Sequence, residues 1–272
     1  MISNLLLVAG VGVASVALRS FQHPIFTRLG TLGIFVTSFL AGWLLGGSVA
    51  MGVALALSWL FLPWLEILTR IRRLRLPVDR VIESRRPPTR TEFPNLSEVS
   101  QEIEESGFEY IDDLGWDHDA TKNYYRVFEH PEKRLQAAIC LSEQEDLAFF
   151  YITVTARTPD GRTFSTWNYP FSYGLKLEPK TKIQRFPSPG PFRSILATHE
   201  QFLNREGCRR EDLALVPQET LIATLQGDML GQISHNVDAG LLRRVEDNRV
   251  RYTPKGMFFL WFQFLRDLLR LS

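Results

Sequence analysis

Residues Leu29 to Leu65 read LGTLGIFVTSFLAGWLLGGSVAMGVALALSWLFLPWL, with no charged side chain. Every other part of the chain has to be placed around this run. As one helix it would extend about 55 Å at about 1.5 Å per residue. A bilayer's hydrocarbon core is about 30 Å thick. Two short spans, near residues 30–46 and 48–65, fit better, with the break at Leu45-Gly46-Gly47-Ser48, where two glycines permit a turn. The alternative is one long helix, tilted or kinked. Small residues recur every four positions, Ala50, Ala54 and Ser58 on one arm and Gly42 and Gly46 on the other, so helices can approach closely there. Trp59 and Trp64 suit the headgroup level, and Pro63 suits a helix nearing its end.

Ile2 to Leu18 is apolar too, with Gly10 and Ala14 as a further small face. Ser15-Val16-Ala17 has the spacing of a signal-peptide cleavage site, but no Lys or Arg precedes the run, so an uncleaved span is preferred. Arginines then set the orientation. Arg70, Arg72, Arg73, Arg75, Arg80, Arg85, Arg86 and Arg90 follow the last span, opposed only by Asp79 and Glu83. Such an excess stays on the cytoplasmic side. With three spans, Arg19 and Arg28 fall on that side as well, and Gly46-Gly47 lies outside. The expected protein sits in the inner membrane, N-terminus out, with the bulk of its chain in the cytoplasm.

About 200 residues remain for folded domains. The two cysteines, Cys140 and Cys208, form no CxxC pair, and read as free thiols of a reducing compartment. No internal repeat is visible.

The expected division is a membrane region 1–67, an Arg/Pro-rich joint 68–94, an α+β domain 95–178, a Pro-rich linker 179–191 and a helical region 192–272. In the joint, Pro77, Pro87, Pro88 and Pro94 argue against a continuous helix. Its arginines, from Arg70 to Arg86, are candidates for anionic headgroups, each basic residue near the surface contributing about 1 kcal/mol. Leu96, Val99 and Ile103 then recur at helical spacing up to Gly107, with Glu98, Glu102, Glu104 and Glu105 reading as the solvated face. Beyond Gly107 the period becomes two. Strands are expected at 108–114, 124–129, 134–141, 147–158 and 162–169. Leu135, Ala137, Ile139 and Leu141 alternate with polar or small residues, and Thr158-Pro159-Asp160-Gly161-Arg162 is a hairpin turn. A helix over an antiparallel meander is an α+β unit.

Two stretches of this unit are candidate sites. Asp117, His118 and Asp119, in a loop also holding Asp112 and Asp113, have the donor types for a divalent metal, though not the spacing of an EF-hand or zincin. The run Thr166–Tyr173 offers Trp167, Asn168, Tyr169 and Tyr173 as a ligand groove; aromatics in a strand otherwise serve as core. No Gly-rich phosphate loop and no GxSxG is present, and the five histidines, His130 and the His199-Glu200 pair included, have no motif partner. No catalytic residue and no cofactor is expected.

Helices are expected at 192–205, 218–229 and 230–242. Then Gly240-Leu241-Leu242, a basic strand, a turn at Glu246-Asp247-Asn248, a second strand and Thr253-Pro254-Lys255-Gly256 resemble the wing of winged-helix domains. The resemblance implies that Gly231–Asn236 begins a recognition helix and that Arg243, Arg244, Arg249 and Arg251 contact phosphates or a protein partner. Winged-helix units also serve as protein-interaction modules, the use favoured for a membrane-tethered chain. The final segment, 257–271, has one polar stripe, Gln263, Arg266, Asp267 and Arg270, on an otherwise apolar helix. It is expected to bury against the cytoplasmic elements or to lie in the membrane interface.

The functional expectation is a noncatalytic binding, scaffold or regulatory component, with anionic lipids and an unidentified protein as partners. Nucleic acid, with the chain as a tethered transcription regulator, is the second reading. An enzyme on the membrane surface, using the acidic loop or the aromatic strand, is the third.

Overall fold

The computed structural model describes residues 2–21, 24–119, 121–144, 147–169, 173–186, 190–246 and 248–270. Pro170 and Phe171 of the aromatic run, Pro187 and Pro189 of the proline-rich stretch, Asp247 of the wing turn and Leu271 lie outside the described residues. The chain is α+β and divides into two compact units. One comprises Met1–Arg75, Ser172–Gly174 and Arg251–Ser272, the other Leu76–Phe171 and Leu175–Val250.

In the first unit, α1 (Ile2–Arg19), α2 (Pro24–Leu40) and α3 (Val49–Glu66) form three helices long and apolar enough to cross a membrane, the latter two lengthened by π-helical turns at Ala41–Leu45 and Ile67–Ile71. The helix breaks where the glycines permit it. Gly47 takes φ +80°, and Ser48 Oγ then accepts from the Met51 N–H at 3.1 Å, capping α3. Of the small residues at four-residue spacing, Gly42 and Gly46 do lie against α3, and Gly33, outside that pattern, lies against α1. A Cβ on Gly33 would come within 2.2 Å of Ser15 Oγ, and one on Gly42 within 2.5 Å of the Met51 carbonyl. Ala50, Ala54 and Ser58 face outward instead, and Gly10 meets open space. Helix rotation about its axis, which spacing alone leaves undetermined, decides which small face meets a neighbour. Trp59 belongs to this packing, its indole N–H donating to Ser38 Oγ at 2.9 Å and its ring edge-on to Phe35. The outer surface is apolar: Leu6, Val13, Leu32, Phe61 and Leu65 are all more than half exposed.

The same unit contains α7 (Pro254–Arg270). It packs on the end of α3, with Trp261 stacked on Trp64 at 6.0 Å.

The second unit is built on a seven-stranded sheet in sequence order: β2 (Glu83–Ser84), β3 (Glu109–His118), β4 (Thr121–His130), β5 (Leu135–Gln144), β6 (Leu147–Arg157), β7 (Thr163–Trp167) and β8 (Thr181–Arg185). All neighbours are antiparallel except β7 and β8, which are parallel. Strand β8 lies inside the stretch read as a linker. As a polar edge strand, TKIQR, it lacks the alternation that marks its neighbours. Helices α4 (Leu96–Glu104) and α5 (Phe192–Arg205) cover one face. Their Leu96, Ile103, Phe192, Ile195 and Phe202 meet Phe128, Ala137, Ile139, Val154 and Phe164 of the sheet. Truncating a ring as buried as Phe128 or Phe164 to Ala costs about 3–5 kcal/mol. Glu102, placed by its sequence on a solvated face, accepts from the Phe192 N–H at 2.6 Å. Its carboxylate supplies the acceptor that Pro191 cannot and lies at the positive end of α5.

Helix α6 (Leu221–Asp238), one continuous helix where the sequence suggested two, covers part of the other face through Leu221, Leu225 and Met229 against Leu114 and Val127. Gly227 and Gly231 weaken its propensity. Tertiary bonds hold it: Asn236 Oδ1 accepts from the Lys176 N–H and Asn236 Nδ2 donates to the Lys176 carbonyl, both at 2.8 Å. A second, three-stranded sheet has the order β1 (Leu76–Pro77), β10 (Arg249–Tyr252), β9 (Leu242–Val245). The arginine-rich joint thus supplies one short strand to each sheet.

Candidate membrane-facing site

The end of α3 and the body of α7 form an aromatic cluster. Pro63 carries no N–H, so the helix around it is a hydrogen donor short. One residue on from the carbonyl that loses its donor, Leu60 O accepts from the Trp261 indole N–H at 2.7 Å. Phe258 meets Trp64 edge-on at 5.0 Å. Trp near the end of a helix long and apolar enough to cross a membrane suits a layer where an apolar ring and a polar N–H are both satisfied. Arg70, Arg72, Arg73 and Arg75 follow directly and are exposed, Arg70 being paired only loosely with Glu66 at 3.6 Å. An exposed i,i+4 pair of this kind contributes about 0.3–0.5 kcal/mol, so it holds the charge weakly.

The arginine cluster of the sequence is therefore two clusters. Arg80, Arg85 and Arg86 lie in the second unit. The Arg80 guanidinium stacks on the Trp116 ring at 4.7 Å. Arg85 donates to Asp117 at 2.7 Å and lies 3.4 Å from Glu83; the Asp117 carboxylate raises its pKa. Arg86 lines a shallow cleft of about 190 Å³ with Lys122, Glu92 and Glu143. Arg85 lines the cleft too but is already tied to Asp117, so Arg86 and Lys122 are left against Glu92 and Glu143.

The candidate metal residues are not in a loop. β3 runs through Asp117 and His118, and Asp119 makes the β3–β4 turn at φ +51°. Asp119 tolerates this left-handed conformation better than most residues. Their side chains face different partners. Asp117 holds Arg85, while Asp119 lies 3.3 Å from His118 Nε2 and 3.4 Å from Arg249. Among the described residues, no three His, Cys, Asp or Glu side chains are grouped to hold a metal. Asp113, upstream, is buried and salt-bridged to Arg126.

Of the aromatic candidates, Trp167 and Tyr169 do come together, joined by Phe149 and Tyr151 from β6, with ring centres 5.0–6.2 Å apart. Asn168 instead caps the β6 edge, its Oδ1 accepting from the Ile152 N–H at 2.6 Å. Tyr173 belongs to the other unit. Tyr151 stands beside Cys140 across β5 and β6, and burial pushes that thiol up to about 12, so it stays protonated and unreactive. Arg243 and Arg244 are exposed on β9. Arg249 is engaged with Asp119, and Arg251 is half-buried in the first unit.

Sequence reasoning missed the Trp64–Trp261 contact, because Trp64 lies near the end of α3 and Trp261 midway along α7, and no periodicity links the two. It also missed the Asp113–Arg126 pair, which two-residue alternation on adjacent strands cannot register. No family model matches the chain, and neither the curated proteins nor the solved structures gave a match.

Proposed function

We propose that the protein is a noncatalytic membrane component that holds a folded α+β unit at the cytoplasmic face of the inner membrane, for binding a protein partner. Its three apolar helices cross the bilayer with the N-terminus outside. Arg70, Arg72, Arg73 and Arg75 contact anionic headgroups at the inner surface. The observation that carries the reading is how the ionisable side chains of the second unit are used. Asp113, Asp117, Asp119 and Asp228 each accept from an arginine, Arg126, Arg85, Arg249 and Arg157 respectively. Side chains tied together in this way hold the fold and are not poised for proton transfer or nucleophilic attack.

Reporter fusions at Ser20, Gly47 and Arg90 test the topology, with the expected order inside, outside, inside. A reporter at Arg90 that is active outside would place the folded unit on the wrong side. Purification in mild detergent is expected to retain a protein partner, lost when the second unit is deleted.

A second reading has one observation in its favour: α6 is followed by the β9–β10 hairpin, with Arg243 and Arg244 exposed on β9. A winged-helix regulator would present those side chains to DNA phosphates. Salt-sensitive DNA retention, weakened by Arg243→Ala and Arg244→Ala, would support it.

A further inference from the structure

Helix α7 is inverted with respect to water. Gly256, Leu260, Gln263 and Asp267 form one stripe along the helix, and all four are buried, the amide and carboxylate at 7% and 6% exposure. The opposite face carries Phe258 and Phe262, four residues apart, at 60% and 59% exposure. A soluble helix turns such rings inward and such polar groups outward. Nor is the aromatic face isolated. Phe258 lies on Trp64, and Trp261 stacks on Trp64 and donates to Leu60 O, so the face adjoins the last turns of α3. There Phe61, Leu62, Leu65 and Leu68 are exposed as well, and the exposed Arg70, Arg72, Arg73 and Arg75 come next in the chain.

We propose that the Phe258–Phe262 face of α7 is immersed in lipid at the headgroup–acyl boundary of the leaflet that Arg70–Arg75 face. It continues the lipid-contacting surface of α3, and rests on the reading that α1–α3 span the bilayer. The occupant is lipid because the face adjoins the apolar belt of α3 and ends at arginines able to pair with phosphate headgroups. Tryptophan at the junction, with its N–H satisfied by Leu60 O, suits that depth. The C-terminal helix is thus a second membrane attachment, lying along the bilayer surface where α1–α3 cross it.

Site-directed nitroxide labelling of the full chain in phosphatidylcholine–phosphatidylglycerol vesicles tests this. Phe258→Cys and Phe262→Cys report on the face, Leu65→Cys on α3, and Val81→Cys, exposed in the second unit, on water. Cys140 and Cys208 are buried and stay unlabelled. Labels at 258 and 262 are expected to show a several-fold higher ratio of oxygen to nickel-chelate accessibility than the label at 81, approaching that at 65. A high ratio at 65 with water-like values at 258 and 262 overturns the inference while leaving the spans in place. Exclusion of both probes at 258 and 262 also overturns it, because protein then covers the face. Water-like values at 65 as well would mean that the spanning reading itself has failed. Both labelled positions on α7 are more than half exposed; Phe258→Cys gives up the edge-on contact with Trp64, so agreement between the labels at 258 and 262 guards against a local shift.

Discussion

Asp113 and Arg126 face each other across β3 and β4 as a two-pronged pair: Arg126 Nε donates to Oδ1 at 2.8 Å and Nη2 to Oδ2 at 2.9 Å. The Tyr124 hydroxyl donates to the same Oδ1 at 2.6 Å, and Arg126 Nη1 reaches Ser100 Oγ of α4 at 3.2 Å. The network therefore joins helix to sheet. Burial and the adjacent Asp113 carboxylate raise the Tyr124 pKa, so the phenol stays a donor at any physiological pH. Asp113→Ala leaves a guanidinium without its partner and is expected to cost about 3–5 kcal/mol. Replacing both residues with leucine is expected to cost less than Asp113→Ala alone, because no charge is then stranded. Tyr124→Phe removes one hydrogen bond, at about 1 kcal/mol. Denaturation of the detergent-solubilised chain checks the order. Equal losses for Asp113→Ala and Tyr124→Phe would mean that the pair contributes no more than a neutral hydrogen bond.

His199 makes the second unit sensitive to acid. It is fully buried on α5, with Nδ1 2.9 Å from Thr166 Oγ1, and burial pushes its pKa down to about 4 from 6.5. Below about pH 6.5 the unfolded chain binds a proton that the folded chain refuses. Stability is therefore full above pH 6.5, falls as the pH drops towards 4, and levels off below that. The total is about 3 kcal/mol, from about 1.4 kcal/mol per pKa unit. His130, lowered by burial and by Lys133, adds in the same direction. His199→Gln keeps a polar partner for Thr166 and removes the titration. The drop in unfolding temperature between pH 7 and pH 4.5 should shrink in that variant; an unchanged drop would place the acid sensitivity elsewhere.

Asn236 acts as a surrogate backbone. Its side-chain amide pairs with both the N–H and the carbonyl of Lys176, and Nδ2 also donates to the Gln232 carbonyl at 2.8 Å. Asn236 is wholly buried, so Asn236→Ala leaves the Lys176 N–H without its acceptor, at about 1–3 kcal/mol, while the Lys176 carbonyl keeps the bond from Gln232 Nε2. Asn236→Asp keeps the acceptor but loses both donors and sets a carboxylate against two carbonyls, so it is expected to be at least as damaging. Amide hydrogen exchange at Lys176 should speed up in Asn236→Ala, which loses the acceptor of that N–H; unchanged exchange would show that the segment is held by other contacts.

How much of this could be read in advance differs from element to element. Helix α5 was visible because Ile195, Leu196, Phe202 and Leu203 repeat at its period and Gly207 follows it. The β6–β7 turn was visible because Gly161 takes φ +81° where Pro-Asp-Gly predicts it. What stayed hidden depends on partners distant in sequence. α6 survives two internal glycines through bonds to Lys176, sixty positions away in the chain. β8 is ordered by its parallel pairing with β7 and not by its own pattern. In the candidate site, the arginines were plain as charge, yet their division between two units was not. The polar stripe of α7 was plain as well, but periodicity does not say which side of a helix faces in.

The packing of the apolar helices gives the last prediction. A Cβ on Gly42 would meet Met51 O at 2.5 Å and Gly52 Cα at 2.7 Å, while one on Gly52 would meet Phe39 O at 2.7 Å. These contacts are with backbone, which cannot swing aside as a long side chain can. α3 would have to move away from the preceding helix, and the Trp59 to Ser38 hydrogen bond would be stretched with it. Gly10, by contrast, has nothing within 4 Å. Gly42→Leu and Gly52→Leu are each expected to cost about 1–3 kcal/mol by overpacking, whereas Gly10→Leu is tolerated. The Leu variants at 42 and 52 should lower the unfolding temperature in detergent and increase solvent quenching of Trp59. Were Gly10→Leu as damaging as Gly42→Leu, the helix faces assigned here would be rotated from the true ones.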